Sequence, residues 1–330
     1  MNSNPGTGSG SRIGADHGFE DMRFAVVGAG GVGGYFGGRL AQDGNEVSFV
    51  ARGAHLDAIR RHGLRVESIA GDFVVDPVLA TDDPAEIGTV EAVIIAVKAW
   101  QLADAAQAAR PLVGPDTVVL PLLNGVEASE RLAEVLGGDH VLGGLCRLSA
   151  EIAAPGIIRH TAIEPTLLLG ERDNRRTPRV QALVAALSRS GVRAAIADDI
   201  DTALWEKFML IATWSGIGSV TRAPVGVWRA LPGLRSMAEA CLREVLAVAR
   251  ARNVQLGEDR VSATMAVFDA VPPQGMASMQ RDILAGRPSE LEAQNGAVVR
   301  LGAAARVSTP THALIYHFLL PQENAARAGA

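Results

Sequence analysis

Short apolar runs and amphipathic segments follow one another along the first part of the chain. The apolar runs predict strands at 24–27, 46–50, 92–97, 117–121 and 141–145. The segments between them have a helical period and predict helices near 34–43, 54–62, 101–109 and 127–136. Strands that alternate with helices in this way predict a parallel sheet whose two faces are covered by helices.

The pattern changes in the second part of the chain. Three β-rich segments, at 156–160, 166–169 and 192–197, are expected to extend the same sheet with antiparallel strands. Beyond Asp198 the helical period predominates and predicts helices near 199–218, 233–252, 258–268, 290–305 and 310–325. Ser289 with Glu292 has the form of a capping box, and Thr309 followed by Pro310 suits a helix start.

Length and composition set the limits of the fold. A chain of 330 residues, 48% of them hydrophobic, is large enough for two domains with ordinary cores. Residues 1–21 are rich in Gly, Ser, Asn and Asp and lack the apolar centre of a signal peptide, so we expect a disordered leader. Met22 directly precedes the first predicted strand and is a candidate alternative start.

Charge and cysteine content exclude several classes of protein. The formal net charge of -5 provides no broad basic surface, so neither nucleic acid nor an anionic membrane is an expected partner. The two cysteines, Cys146 and Cys241, have a spacing that fits neither a metal cluster nor a disulfide framework. A reducing cytoplasm is therefore the expected location. No apolar run of the sequence is long enough to span a bilayer.

A glycine-rich turn joins the first predicted strand to the first predicted helix. It has the form G-x-G-x-x-G, and its candidate cofactor-binding residues are Gly28, Gly30, Gly31, Val32 and Gly33. Glycines there let the backbone approach a pyrophosphate, whose charge faces the helix N-terminus. The predicted fold class is therefore α/β, with a Rossmann-type dinucleotide-binding domain at 22–197 and an all-helical C-terminal domain at 198–330.

The residues after the second strand bear on the choice of cofactor. An acidic residue is expected there when the ribose of NAD is bound, but this chain has Ala51 and Arg52. The guanidinium of Arg52 suits a 2'-phosphate, so NADPH is favoured as the cofactor, with a solvated loop arginine as the alternative. His55 either stacks on the adenine or caps a helix, and the sequence leaves both open.

Lys207 lies within the apolar stretch 204–211, and a helix would place it on the same face as Leu204 and Ile211. Such surroundings lower the pKa of an ammonium or require a buried carboxylate partner, and both outcomes suit a general acid. The alternative is a lysine beside Glu206 whose stem is buried and whose head is in water.

Six short motifs follow one another along the chain. They are GGYFGGRLA at 33–41, VKAWQ at 97–101, LLNGV at 122–126, WEKF at 205–208, ASMQRD at 277–282 and PSELE at 288–292. Together they resemble the 2-dehydropantoate 2-reductase, or ketopantoate reductase, family over residues 22–325. The resemblance implies that Lys98 lies near the cofactor and that Lys207 is the catalytic lysine.

The resemblance also implies roles for three polar residues. Asn124 would contact the substrate and take part in domain closure, and we also count it among the cofactor-binding residues. Ser278 would bind the substrate carboxylate, and Glu290 would lie near the reacting oxygen. From the residues alone, each is equally an ordinary turn, loop or helix-start residue. Trp100 and Trp205 are expected to be packing residues.

Two positions depart from the family pattern. Ile211 and Ser215, one and two helical turns after Lys207, stand where the family usually has asparagines that face the substrate. We count both as substrate-binding positions. Without those amides a buried substrate hydroxyl would lack partners, so a more apolar 2-oxo acid would fit Ile211 better.

The implied activity is NADPH-dependent reduction of 2-dehydropantoate to (R)-pantoate, in pantothenate biosynthesis. Lys207 would deliver the proton, and Glu290 would orient Lys207 or the substrate oxygen. One alternative is a family paralogue, of the D-2-hydroxyacid dehydrogenase type, that reduces a different 2-oxo acid. Another is a non-enzymatic dinucleotide-binding redox sensor. The expected partners are a small 2-oxo acid and, as an open alternative, a second copy in a homodimer. No metal is expected.

Overall fold

The computed structural model describes residues 22–76 and 78–329; the predicted leader at 1–21 lies outside the described residues. Five parallel strands form the first sheet, in the order β5-β2-β1-β6-β7. Their bounds are β1 Arg23–Val27, β2 Glu46–Val50, β5 Leu79–Thr81, β6 Val90–Ile95 and β7 Val113–Pro121. The parallel sheet predicted from the alternating pattern is confirmed.

Helices cover both faces of this sheet. They are α1 Gly31–Gln42, α2 Gly53–His62, α3 Leu102–Ala108 and α4 Ala128–Leu136. Successive residues of β1 point to opposite faces, so Phe24 packs in the core that includes α1 and α2, whereas Ala25 packs in the core that includes α3 and α4. This double covering explains why the strands are continuous apolar runs.

A second sheet lies beside the first. Its strands are β3 Leu64–Ser68, β4 Phe73–Val75, β8 Gly143–Ala154, β9 Ile157–Gly170 and β10 Arg193–Ile196. The order is β10-β9-β3-β4, and β8 also pairs with β9. The expectation that these segments extend the first sheet is therefore wrong. The strand predicted at 141–145 touches the first sheet through the bridge of Val141 to Val119, and from Gly143 it pairs with β9.

Helix α1 separates the two sheets, because its glycines let both approach. A Cβ at Gly37 would lie 2.7 Å from side-chain atoms of Phe49 and Val26 in the first sheet. A Cβ at Gly34 would lie 2.7 Å from Ile158 in the second sheet. The helix is thus enclosed on two sides, and the later strands pack against it instead of joining the first sheet. Helix α5, Pro178–Arg189, was not predicted.

Beyond β10 the described chain is helical, as predicted. The helices are α6 Ile200–Thr221, α7 Val225–Trp228, α8 Pro232–Ala251, α9 Asp259–Ala270, α10 Ser278–Leu284, α11 Ala297–Ala305 and α12 Pro310–Ala328. Asp199 caps α6 by accepting a 3.0 Å hydrogen bond from the Thr202 N–H. Within residues 22–76 and 78–329, no helix is both long and apolar enough to cross a membrane.

The start of the helix predicted at 290–305 differs from the expectation. The backbone forms a π-helical turn, Glu292–Gly296, before α11. Ser289 donates its N–H and its hydroxyl to the buried carboxylate of Glu323, at 3.0 and 2.5 Å. Glu292 instead contacts Arg300 and Tyr316. The predicted capping box is therefore wrong, because charged partners from α11 and α12 take both of its members.

A buried polar cluster holds the start of α12. Glu244 of α8 accepts hydrogen bonds from the backbone N–H groups of Thr311 and His312, at 2.7 and 3.0 Å. The His312 ring is fully buried, and its Nδ1 lies 2.9 Å from Asn295 Nδ2 while its Nε2 lies 3.2 Å from the Cys241 carbonyl. Burial lowers the pKa of His312 to about 4, so the ring is neutral at neutral pH.

Candidate active site

The glycine turn between β1 and α1 has the geometry of a dinucleotide-binding loop. Gly28 has a φ of 98°, which favours glycine, and a Cβ at Gly33 would lie 2.1 Å from the Gly28 carbonyl oxygen. At Gly30, by contrast, a Cβ would have no heavy atom within 4 Å. No side chain caps the start of α1. The turn therefore combines a tight bend, close helix packing and an open helix N-terminus, which fits a bound pyrophosphate.

The second sheet contacts this turn through β8. A Cβ at Gly31 would lie 2.2 Å from the Ala150 carbonyl oxygen, so the helix start presses directly against the strand backbone. Val32 is half-buried and packs against the core beneath α1. The five candidate cofactor-binding residues of the glycine motif thus lie in the turn and the first residues of α1, and the open side is at Gly30.

Arg52 and His55 lie beside the glycine turn. Arg52 follows β2 at the N-cap position of α2, and its exposed side chain makes no hydrogen bond with the described residues. His55 is the third residue of α2 and not its N-cap residue, and each of its two ring nitrogens has a hydrogen-bond partner. Its Nε2 lies 2.8 Å from the Ala29 carbonyl oxygen, and its Nδ1 accepts a 3.0 Å hydrogen bond from the Gly156 N–H.

Lys98 and Asn124 follow the carboxyl ends of β6 and β7, where open parallel sheets bind ligands. Lys98 Nζ lies 2.8 Å from Asp282 Oδ2 of α10. Asn124 Nδ2 donates a 2.8 Å hydrogen bond to Glu290 Oε2, and the Ala99 N–H donates to the other oxygen of Glu290 at 3.4 Å. The structure therefore brings Lys98, Asn124 and Glu290 together at the edge of the first sheet.

Glu290 is a buried carboxylate whose contacts are all with neutral groups. It is 5% exposed, and besides Asn124 and Ala99 it contacts the Gln294 amide at 3.4 Å. No arginine, lysine or histidine among residues 22–76 and 78–329 forms an ion pair with it. A buried carboxylate that has only neutral donors and no cationic partner is costly, so this position suits a group that meets a polar ligand.

Lys207, Ile211 and Ser215 occupy successive turns on one face of α6, as their spacing predicts. Lys207 is half-buried and has no hydrogen bond or ion pair with the described residues. It lies near Cys146 of β8, where burial raises the pKa of the thiol and the ammonium partly offsets this effect. Ile211 is half-buried, whereas Ser215 is 1% exposed.

The structure does not join every predicted site residue by direct contacts. Ser278 is the first residue of α10 and is half-buried, and its hydroxyl has no hydrogen-bond partner among the described residues. Lys207 is likewise not bonded to Glu290, which pairs with Asn124 instead. Lys207 and Ser278 therefore stand as separate donors, each on its own helix.

A cavity of about 310 Å³ lies next to Asn124 and Glu290, between the sheet edge and α12. Its walls include the apolar side chains of Leu123, Leu291 and Leu320. Trp100 lines it as well and is 37% exposed, so the expectation that it is a packing residue is wrong. Instead, two cations lie near its ring: Lys98 Nζ is 5.8 Å and the Arg327 guanidinium 5.0 Å from the ring centre.

Trp205, in contrast, is a packing residue as predicted. It is 5% exposed, and its ring contacts that of Phe208 edge to face at 5.5 Å. The sequence interpretation missed Asp282, although it ends one of the quoted motifs. It also missed a simple signal: of the 31 lysine and arginine residues, only Lys98 and Lys207 are lysines. Both lie among the candidate site residues.

Comparison with known proteins assigns both halves of the chain. The family model described as ketopantoate reductase PanE/ApbA matches residues 24–174, and the model of the C-terminal part of the same family matches residues 199–323. The 2-dehydropantoate 2-reductase of Mesorhizobium japonicum is 31% identical, with 88% of this chain and 94% of that protein covered. An uncharacterized oxidoreductase of Bacillus subtilis, YkpB, is 30% identical, with 89% and 97% covered.

Solved structures agree with this assignment. The crystal structure of a PanE/ApbA family ketopantoate reductase from Ralstonia eutropha superimposes with a TM-score of 0.85 at 30% identity. The match covers 93% of this chain and all of that one. Because two family models and relatives at this identity cover nearly the whole described chain, the protein belongs to the ketopantoate reductase family of oxidoreductases.

Proposed function

We propose that this protein reduces 2-dehydropantoate to (R)-pantoate with NADPH, a step of pantothenate biosynthesis. One observation carries the proposal: the open glycine turn begins α1, the unpaired, half-buried Lys207 lies on α6, and both helices contact strand β8. The glycine turn supplies a site for a pyrophosphate, and Lys207 supplies a proton donor. The names of the relatives support the choice of substrate.

In the proposed reaction the nicotinamide supplies a hydride, which forms the new C–H bond at C2 of the oxo acid. Lys207 donates a hydrogen bond to the C2 carbonyl oxygen, stabilises the alkoxide that forms, and transfers a proton to it. The lysine then regains its proton from water. The product is a 2-hydroxy acid, so atoms and charge balance with one hydride and one proton consumed.

The remaining residues hold the substrate. The Ser278 hydroxyl and the Asn124 amide bind its carboxylate, and Glu290 fixes the orientation of Asn124 through the 2.8 Å hydrogen bond. Lys98, which Asp282 holds by an ion pair, would bind the nicotinamide end of the cofactor. Glu290 thus acts on the substrate through Asn124, and it has no hydrogen bond or ion pair with Lys207 among the described residues.

NADPH is the proposed cofactor because of Arg52. Arg52 is exposed and lies two residues after the end of β2, where the adenine ribose lies in proteins of this fold. The side chain has no partner among the described residues and therefore offers its donors to a 2'-phosphate.

The test is an NADPH-oxidation assay with 2-dehydropantoate as substrate, with NADH as the cofactor control. We expect saturable turnover with NADPH and much weaker turnover with NADH. Absence of turnover with 2-dehydropantoate, from a folded protein that binds NADPH, would refute the assignment of the substrate. If no 2-oxo acid reacts either, the redox-sensor alternative is favoured.

Ile211 favours a second candidate, a more apolar 2-oxo acid. Its half-buried side chain lies one helical turn from Lys207 and has no group that could hydrogen-bond a substrate hydroxyl. In the same assay 2-oxoisovalerate and benzoylformate would then be better substrates than 2-dehydropantoate. The variant Ile211→Asn should shift the ratio of kcat/KM values towards 2-dehydropantoate, and an unchanged ratio would remove this residue from the specificity argument.

A further inference from the structure

His55 links the glycine turn to the second sheet through both ring nitrogens. Nε2 lies 2.8 Å from the carbonyl oxygen of Ala29, the residue between the first two glycines of the motif. Nδ1 lies 3.0 Å from the backbone nitrogen of Gly156, in the turn between β8 and β9. The ring therefore bridges two backbone segments that are far apart in the sequence.

These two partners determine the tautomer of the ring. Because a backbone N–H can only donate, Nδ1 of His55 must accept the hydrogen bond from Gly156. Nε2 therefore carries the ring proton and donates it to the Ala29 carbonyl. Burial lowers the pKa of His55, which keeps the ring neutral and this pair of contacts intact at neutral pH.

The contact to Ala29 also sets the direction of a neighbouring donor. In a trans peptide the carbonyl of one residue and the N–H of the next point to opposite sides. When His55 holds the Ala29 carbonyl, the Gly30 N–H is directed away from the histidine. No acceptor within the described residues takes that N–H, and the space around Gly30 is open.

We propose that His55 is a positioning residue of the cofactor site, which fixes the Ala29–Gly30 peptide so that the Gly30 N–H faces the cofactor pyrophosphate. This inference rests on the proposed dinucleotide-dependent function. Because Gly30 has no Cβ, an unrestrained Ala29–Gly30 peptide can rotate, and its carbonyl oxygen would then face the phosphate and repel it. The hydrogen bond from Nε2 stabilises the productive orientation.

Two variants separate the contacts of the ring. In His55→Gln the amide nitrogen takes the place of Nε2 and still donates to Ala29, whereas in His55→Asn the shorter side chain reaches only the position of Nδ1 and loses that contact. His62→Gln is the matched control, because His62 is an exposed residue at the end of the same helix. Each variant is titrated with NADPH by nicotinamide fluorescence, and its thermal unfolding is recorded.

We expect His55→Asn to raise the Kd and the KM for NADPH about tenfold, the loss expected for one hydrogen bond to the turn, with kcat changed less than about twofold. His55→Gln and His62→Gln should stay within about twofold of the wild type in Kd. A purely structural role predicts instead that Gln and Asn lower the unfolding temperature without a difference in Kd between them.

Equal NADPH affinity of the Asn and Gln variants would overturn this inference and leave the proposed function intact. Failure of the wild-type chain to bind either NADPH or NADH would overturn both. If His55→Asn does not fold, His55→Phe is used instead to remove the hydrogen bond to the Ala29 carbonyl, and its Kd for NADPH is compared with that of the wild type. An unchanged Kd in His55→Phe likewise refutes the positioning role of His55.

Discussion

Asn124 and Glu290, which lie 166 residues apart in the chain, are joined by a 2.8 Å hydrogen bond between the end of β7 and the segment before α11. The donor is an amide and the acceptor a carboxylate that is 5% exposed. A contact between a sheet edge and a helical region persists only while the two are close together. This pair therefore connects the arrangement of the site to the relative position of the two halves of the chain.

Glu290→Gln should lower kcat about 10- to 100-fold, because the Gln amide has one oxygen for the two donors Asn124 and Ala99, so Asn124 is oriented less firmly. The free energy of unfolding should not fall, since the substitution removes a buried carboxylate that has no cationic partner. Steady-state kinetics and urea unfolding measure the two effects. Glu134→Gln, an exposed position on α4, is the control. Wild-type kcat in Glu290→Gln would contradict the proposed role.

Lys207→Ala should lower kcat by at least about a hundredfold while the Kd for NADPH changes little, because only the proton donor is removed. Unchanged turnover would exclude Lys207 as the acid. The low lysine content provides an independent test: Lys98 and Lys207 are the only side-chain amines. Acetylation removes the charge and the proton of an amine, so in Lys98→Arg, where Lys207 is the only side-chain amine left, turnover should fall in parallel with the acetylation of Lys207, followed by mass spectrometry.

Arg52→Ala should raise the Kd for NADPH about tenfold or more and leave the Kd for NADH nearly unchanged, because only NADPH carries the 2'-phosphate. Fluorescence titration with both cofactors measures the ratio. Arg61→Ala, at an exposed position of the same helix, controls for the loss of one positive charge from this surface. An equal loss of affinity for both cofactors would show that Arg52 does not bind the 2'-phosphate of NADPH.

Gly33→Ala should lower the stability of the protein, whereas Gly30→Ala should weaken the binding of NADPH. A Cβ at Gly33 would lie 2.1 Å from the Gly28 carbonyl, so we expect the free energy of unfolding to fall by about 1–3 kcal/mol or more. A Cβ at Gly30 meets no protein atom within 4 Å, so stability should be retained. The added methyl group would instead occupy the space of the pyrophosphate and weaken NADPH binding about tenfold. Chemical unfolding and cofactor titration distinguish the two.

Acid should destabilise the protein through His312. Its pKa is about 4 in the folded state and 6.5 when the ring is free, so the unfolded chain binds the proton first as the pH falls. The stability present above pH 6.5 is lost between pH 6.5 and 4, by at most about 3 kcal/mol. Urea unfolding at several pH values measures this loss of the free energy of unfolding. The loss should be complete in the control variant His317→Gln, at an exposed position of α12, and smaller in His312→Gln.

The sequence predicted the first sheet well because its strands are buried on both faces and stand out as apolar runs, as in 24–27 and 46–50. It failed for the second sheet. Strands β3 and β4 are short, and the pairing of β3 with β9 depends on residues about ninety positions away. No local period reveals that α1 is enclosed by two sheets, although Gly34 and Gly37 allow it.

In the candidate site as well, the sequence predicts local features but not contacts between distant residues. The glycine turn and Lys98 could be located because strand, turn and helix follow directly in the sequence. The pairing of Asn124 with Glu290, and of Lys98 with Asp282, depends on how the helical region packs on the sheet edge, which spacing does not encode. Trp100 was misjudged for the same reason, since its two cationic neighbours come from different halves of the chain.

Strand β8 touches the glycine turn at Ala150 and lies near Lys207 at Cys146, four residues earlier. A strand advances about 3.3 Å per residue, so the two points are about 13 Å apart. Irregular pairing between Arg147 and Ala150 falls within this interval. Strand β8 thus sets the distance between the glycine turn and the proposed proton donor, and an insertion or deletion of one residue in this interval would change that distance while keeping every side chain of the candidate site.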